Sequence, residues 1–367
     1  MDITPLPYRA SVEQYRKQAE DLFAAYQSGD SEAIRLIKQK HPRFLDDKIK
    51  WLPRNVSDSE VQSAGLDFAD VQLALARWYD FRDWEALKEY AEAVGEEDSP
   101  VYRFESAVEA VINGDLPALQ AMLGANPELV RARSTRVNHF DPPVHRATLL
   151  HYVAANGVED YRQKCPPNAV AVARTLLKAG AEVDAVADMY GAECTTMSML
   201  VSSSHPAKAG VQAPLVDLLL DYGAAIEGRG SRKWGSPLIT ALAFGCPSAA
   251  EALARRGAQI DLVAAAGLGR LADTRRLLAP ADTESRHRAL ALAAQYGHAD
   301  IVRLLLDAGG DPDRYNPEGS HSHSTPLHQA ALAGHDTRHH PRKRGPTVNA
   351  AVLAVEWPLP ALFQVRL

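Results

Sequence analysis

Between His287 and Asp313 the chain reads His-Arg-Ala-Leu-Ala-Leu-Ala-Ala-Gln-Tyr-Gly-His, then Ala-Asp-Ile-Val-Arg-Leu-Leu-Leu-Asp-Ala-Gly-Gly-Asp-Pro-Asp. Ala291, Ala293 and Ala294 leave room for a second backbone to approach, and Gly297 follows as a helix-ending residue free to take positive φ. Ile301, Leu304 and Leu305 then recur at helical spacing until Gly309 ends the second run. The stretch predicts two short helices joined back to back. Neither can bury its apolar stripe alone, so the pair requires neighbours of the same kind on each side. The rest of the chain has to supply them.

Several segments do. From Ser11 to Gln39, Leu22, Phe23, Tyr26, Ile34 and Ile37 are spaced for one helical face, and Gly29-Asp30-Ser31 divides the run into a helix pair. His41 to Leu45 ends that pair, and Pro53, Asn55 and Asp58 mark a loop up to Ser59. Phe68 to Val94 predicts two more helices, the second starting at Asp83 as N-cap with Trp84 packed on the helix before it. Gly95-Glu-Glu-Asp-Ser-Pro100 reads as a linker. Beyond it the first pattern returns: Gly114-Asp115, Leu119, Met122, Pro127, Leu129 and Val130 restate Gly29-Asp30, Ile34, Ile37, Pro42, Phe44 and Leu45, each 85 residues later. An internal echo of this kind predicts that the N-terminal region is built from similar helical hairpins.

Formal net charge is −6, which gives no electrostatic motive for wrapping nucleic acid or lying on an anionic membrane. No apolar run is long enough to span a bilayer, and no basic stretch with an apolar core opens the chain. Cys165, Cys194 and Cys246 are odd in number and widely spaced, so a reducing, cytoplasmic setting is expected without a disulfide framework.

The units are clearest from residue 148 onward. Thr148-Leu-Leu-His151 opens one, Thr195-Thr-Met-Ser198 and Ser236-Pro-Leu-Ile239 open two more, Leu262 to Gly269 is a shortened one, and Thr325-Pro-Leu-His328-Gln-Ala330-Ala331 begins the last. Thr325 can cap the helix with its hydroxyl, Pro326 suits the first helical position, and Leu327 points into the stack. These units resemble ankyrin repeats, whose Thr-Pro-Leu-His-x-Ala signature opens a helix pair of about 33 residues. The segment from Asp67 to Val94 is similar to one at the front of some bacterial ankyrin-repeat proteins. The resemblance implies an all-α fold. Residues 1–95 would form an N-terminal helical module, and residues 100–335 an ankyrin-type solenoid of helical hairpins with short β-turn fingers. The chain from 336 to 367 would be an irregular or disordered tail, because no second helix follows Thr325, and its sequence suggests a change of reading frame.

Two insertions, Val158 to Asn168 and Ser202 to Pro214, fall at equivalent places and are expected to project on the same side. The fingers Arg131 to His145 and Arg314 to Ser324 are long. A partner would meet the concave face and the finger tips, where Trp234, Arg232, Tyr190, Arg314 and Tyr315 carry the interface-type side chains. The competing reading of each is a cover over the edge of an adjacent repeat.

Catalytic signatures are missing. No Gly-x-Ser-x-Gly, His-Glu-x-x-His or phosphate-binding loop occurs. Gly267-Leu-Gly269-Arg-Leu-Ala272 resembles a dinucleotide fingerprint, yet it aligns 28 residues before Gly297 as an ordinary repeat turn. His321, His323, His328, His335, His339 and His340 cluster late in the chain, but a metal needs three or four converging ligands, and His328 and His335 already have structural places in the repeat while the others fall in loops. The expectation is a monomeric, non-catalytic scaffold, with no cofactor or metal, that binds a protein partner on its concave face. The alternative is an enzyme or enzyme subunit whose active part lies in residues 1–95, with the repeats as a targeting arm.

Overall fold

The computed structural model describes residues 3–47, 52–230, 235–318 and 320–335. The chain divides into two compact units, Met1–Leu200 and Val201–Leu367. Within the described residues the fold is built of short helices, joined by turns and one two-stranded hairpin. The tail from 336 onward lies outside the described residues, as do Arg232 and Trp234.

In the first unit, α1 (Val12–Gln27) and α2 (Ser31–Lys40) form the hairpin that the Gly29-Asp30 junction predicts, Asp30 capping α2 through the Glu32 and Ala33 amides. A short helix, α3 (Asp58–Gln62), begins at the end of the segment expected to be loop and runs past it. Next come α4 (Phe68–Trp78) and α5 (Trp84–Gly95), the latter capped by Asp83. Tyr15, Leu22, Tyr26, Ile34, Ile37, Val71, Leu75, Tyr79, Phe81, Leu87 and Val94 share one core.

The echo is structural. In α6 (Pro100–Asn113) and α7 (Leu116–Ala125) the pattern of the first hairpin recurs, with Gly29 and Gly114 both left-handed at φ 79° and 73°. Asp30 and Asp115 cap the helices that follow, and Pro42 and Pro127 each open a 3-10 turn that buries Phe44 or Leu129. Next are α8 (Leu149–Val153), α9 (Ala169–Lys178), the hairpin β1 (Val186–Met189) and β2 (Ala192–Thr195), and α10 (Thr196–Leu200). First helices α6, α8 and α10 stack in order, and second helices α7 and α9 stack behind them.

Between these elements lies a buried charged network. Arg136, from the long finger after α7, has its guanidinium 4.1 Å from the Phe81 ring centre and 4.5 Å from that of Tyr90, and it donates to the Tyr79 carbonyl at 3.0 Å. Glu159 pairs with Arg136 at 3.1 Å and with His145 at 3.0 Å. Arg162 pairs with Glu105 and Glu109 of α6. Both the finger and the Val158–Asn168 insertion thus send charged side chains inward. The expectation that this insertion projects is overturned, because its Arg162 is 1% exposed and binds the α6 carboxylates.

The second unit holds α11 (Ser204–Lys208), α12 (Gln212–Asp221), α13 (Pro237–Ala243), α14 (Pro247–Arg255), α15 (Leu262–Gly267), α16 (Leu271–Leu278), α17 (Thr283–Gln295), α18 (Ala299–Asp307) and α19 (Pro326–Leu332). First helices α13, α15, α17 and α19 stack in order; α12 packs on α14, and α16 on α18. Small side chains permit this. Ala264, Ala265 and Ala266 in α15 and Ala289, Ala291 and Ala293 in α17 are buried, so the backbones approach closely. The residues Ile260 to Ala264 form no strand; α15 ends at Gly267, and Gly269 is the left-handed turn residue, as the repeat alignment requires. Among the described residues no helix is long and apolar enough to cross a membrane.

Candidate functional site

The two units present their fingers differently. In the first unit Tyr190 sits at the turn between β1 and β2 with φ 56° and 47% of its surface exposed. Its hydroxyl donates to Asn156 Oδ1 at 2.8 Å and accepts from the Gly157 amide at 3.1 Å. Burial of that hydroxyl raises its pKa. Tyr190 therefore braces its own unit while leaving a ring edge to solvent. On the preceding finger Phe140 is 51% exposed, its ring tilted at 33° against that of His139, a candidate that sequence reading missed because a lone aromatic in a polar loop has no periodicity to mark it.

In the second unit an open cleft of about 190 Å³ is lined by Glu227, Gly235, Ser236, Ile239, Gln259, Asp261, Val263 and Arg288. Glu227 Oε1 accepts from the Gln259 amide at 2.7 Å and ties one finger to the next. Asp261 Oδ1 accepts from the Ala264 amide at 2.8 Å, capping α15. Each carboxylate is thereby held in place by backbone. Arg288 enters from α17, its Nε donating to Ser320 Oγ at 2.7 Å. The cleft combines an apolar floor, Ile239 and Val263, with fixed charges of both signs, which suits recognition of a polar chain segment.

Arg314 and Tyr315 stand on the finger that follows α18, both exposed, Tyr315 at 62%. Burial and then the Arg314 charge hold His287 of α17 below the ordinary imidazole value. Arg314 thus acts electrostatically on α17, the helix that carries Arg288. Trp234 and Arg232 lie outside the described residues.

The late histidines have structural partners. His328 Nδ1 meets the Thr325 hydroxyl at 2.9 Å in a capping box, and His335 Nε2 donates to the Gln295 carbonyl at 3.0 Å. His298 makes the same bond to the Gly267 carbonyl one unit earlier, at 3.0 Å. His321 Nε2 donates to the Ala243 carbonyl at 2.8 Å. His339 and His340 lie outside the described residues. Among the described residues no group of three His, Cys, Asp or Glu side chains is placed to hold a metal ion.

The buried acids of the first unit show how strongly environment can act. Burial alone would raise Glu159, yet Arg136, His145 and Arg162 outweigh it and hold the carboxyl well below the usual range. Asp80 goes the other way. Burial and the Asp160 charge push it up to about 7 against the pull of Lys40. Asp80 accepts from the Asp160 amide at 2.7 Å and lies 3.8 Å from Lys40 Nζ.

Residues 262–338 match the family model of ankyrin repeats, in three copies. The matched span takes in the units read at Leu262, at His287 and at Thr325. The human ASB11 ankyrin repeat domain is similar over 66% of this chain and 98% of its own, at 21% identity and a TM-score of 0.37. The ankyrin repeat domain of Bcl-3, described as a unique member of the IkappaB protein family, is similar over 61% of this chain and 93% of its own, at 23% identity and a TM-score of 0.36. No curated protein matches the chain. The three matched copies make residues 262–338 of the chain ankyrin repeats.

Proposed function

We propose that the chain is a non-catalytic scaffold that binds a protein partner on the finger side of its second unit. The observation that carries this reading is the cleft at Glu227, Asp261 and Arg288, in a unit that also exposes the Tyr315 ring. A large aromatic ring in solvent offers contact area at low entropic cost, and the fixed charges of the cleft supply orientation. Arg232 and Trp234, which the sequence marks as partner-facing, lie outside the described residues. Formal net charge of −6 favours a protein over a nucleic acid as the partner. Residues 1–95 serve in this reading as a helical support of the first unit.

The test is affinity capture with the intact chain, followed by titration of the identified partner against Tyr315→Ala and Arg288→Ala. A tenfold or greater rise in Kd for both, on the scale of about 1.4 kcal/mol or more, supports the surface. Unchanged affinity for both rejects it.

A further inference from the structure

Lys40, in the last turn of α2, stands between two carboxylates and is hydrogen-bonded to neither. Its Nζ lies 3.8 Å from Oδ1 of Asp80, at the turn between α4 and α5, and 3.6 Å from Oδ2 of Asp160, near the start of the insertion after α8. The two acids differ in their freedom. Asp80 has 4% of its side chain exposed, and its Oδ1 is buried with no hydrogen-bond partner among the described residues. Its Oδ2 accepts from the Asp160 amide at 2.7 Å, and its backbone is left-handed at φ 62°. Asp160, by contrast, keeps 58% of its side chain in solvent.

The charges around Asp80 oppose one another. Burial and then the Asp160 charge push its carboxyl up to about 7; Lys40 and then the Asp160 amide pull it down, and Glu159 adds a smaller push. The like charge of Asp160 therefore outweighs both the cation and the amide. Tyr190 of the hairpin also feels Asp160 and Asp80, and its hydroxyl is already bonded to Asn156 and Gly157. Arg136 of the finger is committed to Glu159, and Asp83 of α5 to Arg82 and the Ala86 amide. His139 of the same finger is held down to about 3 by burial and then by the Lys40 and Arg77 charges, so it is uncharged at neutral pH.

We propose that Lys40, Asp80 and Asp160 form a proton-operated latch: protonated Asp80 lets Lys40 pair with Asp160 and the insertion stay seated, whereas ionised Asp80 draws Lys40 to itself and repels Asp160. Asp160 yields because Asp80 is fixed in its turn and enclosed. Lys40 has only about 1 Å to travel before it makes a charge-assisted bond to the orphaned Oδ1. The Glu159 and Arg162 ion pairs hold the residues on either side, so the opening is local to Asp160 and its amide.

Amide exchange of Asp160 in the intact chain between pH 6 and 8.5, each rate divided by the free-peptide rate at that pH, tests the latch. Protection should fall at least tenfold across this range, with a midpoint near 7. Asp80→Asn keeps an acceptor for the amide and should remove the pH dependence. Asp160→Asn, a substitution at an exposed side chain, removes the repelling charge: protection should persist to pH 8.5. The Asp80 midpoint, read from its carboxyl carbon shift, should fall by about one pH unit in that variant. Lys40→Met should move the same midpoint upward. Constant protection in the wild type, a fall that survives Asp80→Asn, or wild-type opening in Asp160→Asn each overturns the latch.

Discussion

Arg136 and Glu159 face each other at 3.1 Å with 2% and 3% of their side chains exposed, one from the finger after α7 and the other from the insertion after α8. Two charges so far from water repay their desolvation only when both are present and further bonded. Here they are. Glu159 also takes His145, and the Arg136 guanidinium lies over two aromatic rings and reaches the Tyr79 carbonyl.

Arg136→Ala is therefore expected to cost about 3–5 kcal/mol, because Glu159 is left buried with its charge undercompensated. Arg136→Met combined with Glu159→Leu should recover most of that loss. Chemical denaturation of the two variants checks this. A single substitution as mild as a surface change, below about 0.5 kcal/mol, would show that the pair is dispensable.

Asp80 makes a prediction about pH. Its folded pKa, near 7, exceeds the ordinary 3.8, so its contribution to stability is full below about 3.8 and is lost as pH rises through 7. Asp80→Asn removes the titration while keeping an acceptor for the Asp160 amide, and asparagine tolerates the φ of 62°. Thermal melts from pH 4.5 to 8.5 should show the variant gaining on the wild type toward alkaline pH, by on the order of 2 kcal/mol. A gap that does not change with pH contradicts the assignment.

Residues 1–95 expressed alone should not hold their native core. Tyr79, Phe81 and Tyr90 are covered from outside the fragment by Arg136, Val137 and Tyr161. Circular dichroism and near-ultraviolet spectra check this. The expected result is helix without fixed aromatic packing. A cooperative melt near that of the intact chain would instead establish an autonomous module and revive the alternative of an active part in this region.

The helical hairpins are legible in the sequence because their chemistry is local. Gly29-Asp30 and Gly114-Asp115 each combine a left-handed turn with an N-cap, and alanine runs such as Ala264 to Ala266 specify close helix packing through side-chain size alone. The five-residue α3 is not legible, since so short a helix has no period to detect. Nor is the buried network. Arg136, Glu159 and Arg162 sit in irregular segments where charge ordinarily means solvent, and only the fold discloses that those segments turn inward. At the candidate site Arg314 and Tyr315 stand out as finger residues. Arg288 does not, because Arg286 and Arg288 ahead of an alanine and leucine run read as the solvated face of the helix.

Gly269 tests the repeat turn. Its φ is 72°, and an added Cβ would lie 2.8 Å from the His298 ring that bonds the Gly267 carbonyl. Gly269→Ala should lower stability by about 1–2 kcal/mol through backbone strain and the displaced histidine. Substituting Gly257, also left-handed but with nothing near its Cβ, isolates the backbone part. Equal losses at both positions would show that the His298 contact contributes nothing.

The central claim is that the finger side of the second unit grips a protein. It is tested most directly by measuring the affinity of the captured partner for the intact chain and for Trp234→Ala, Arg314→Ala and Tyr315→Ala. The account predicts a loss of at least tenfold for Tyr315→Ala and Trp234→Ala and a smaller one for Arg314→Ala, with thermal stability unchanged. Affinities equal to wild type in all three would contradict it.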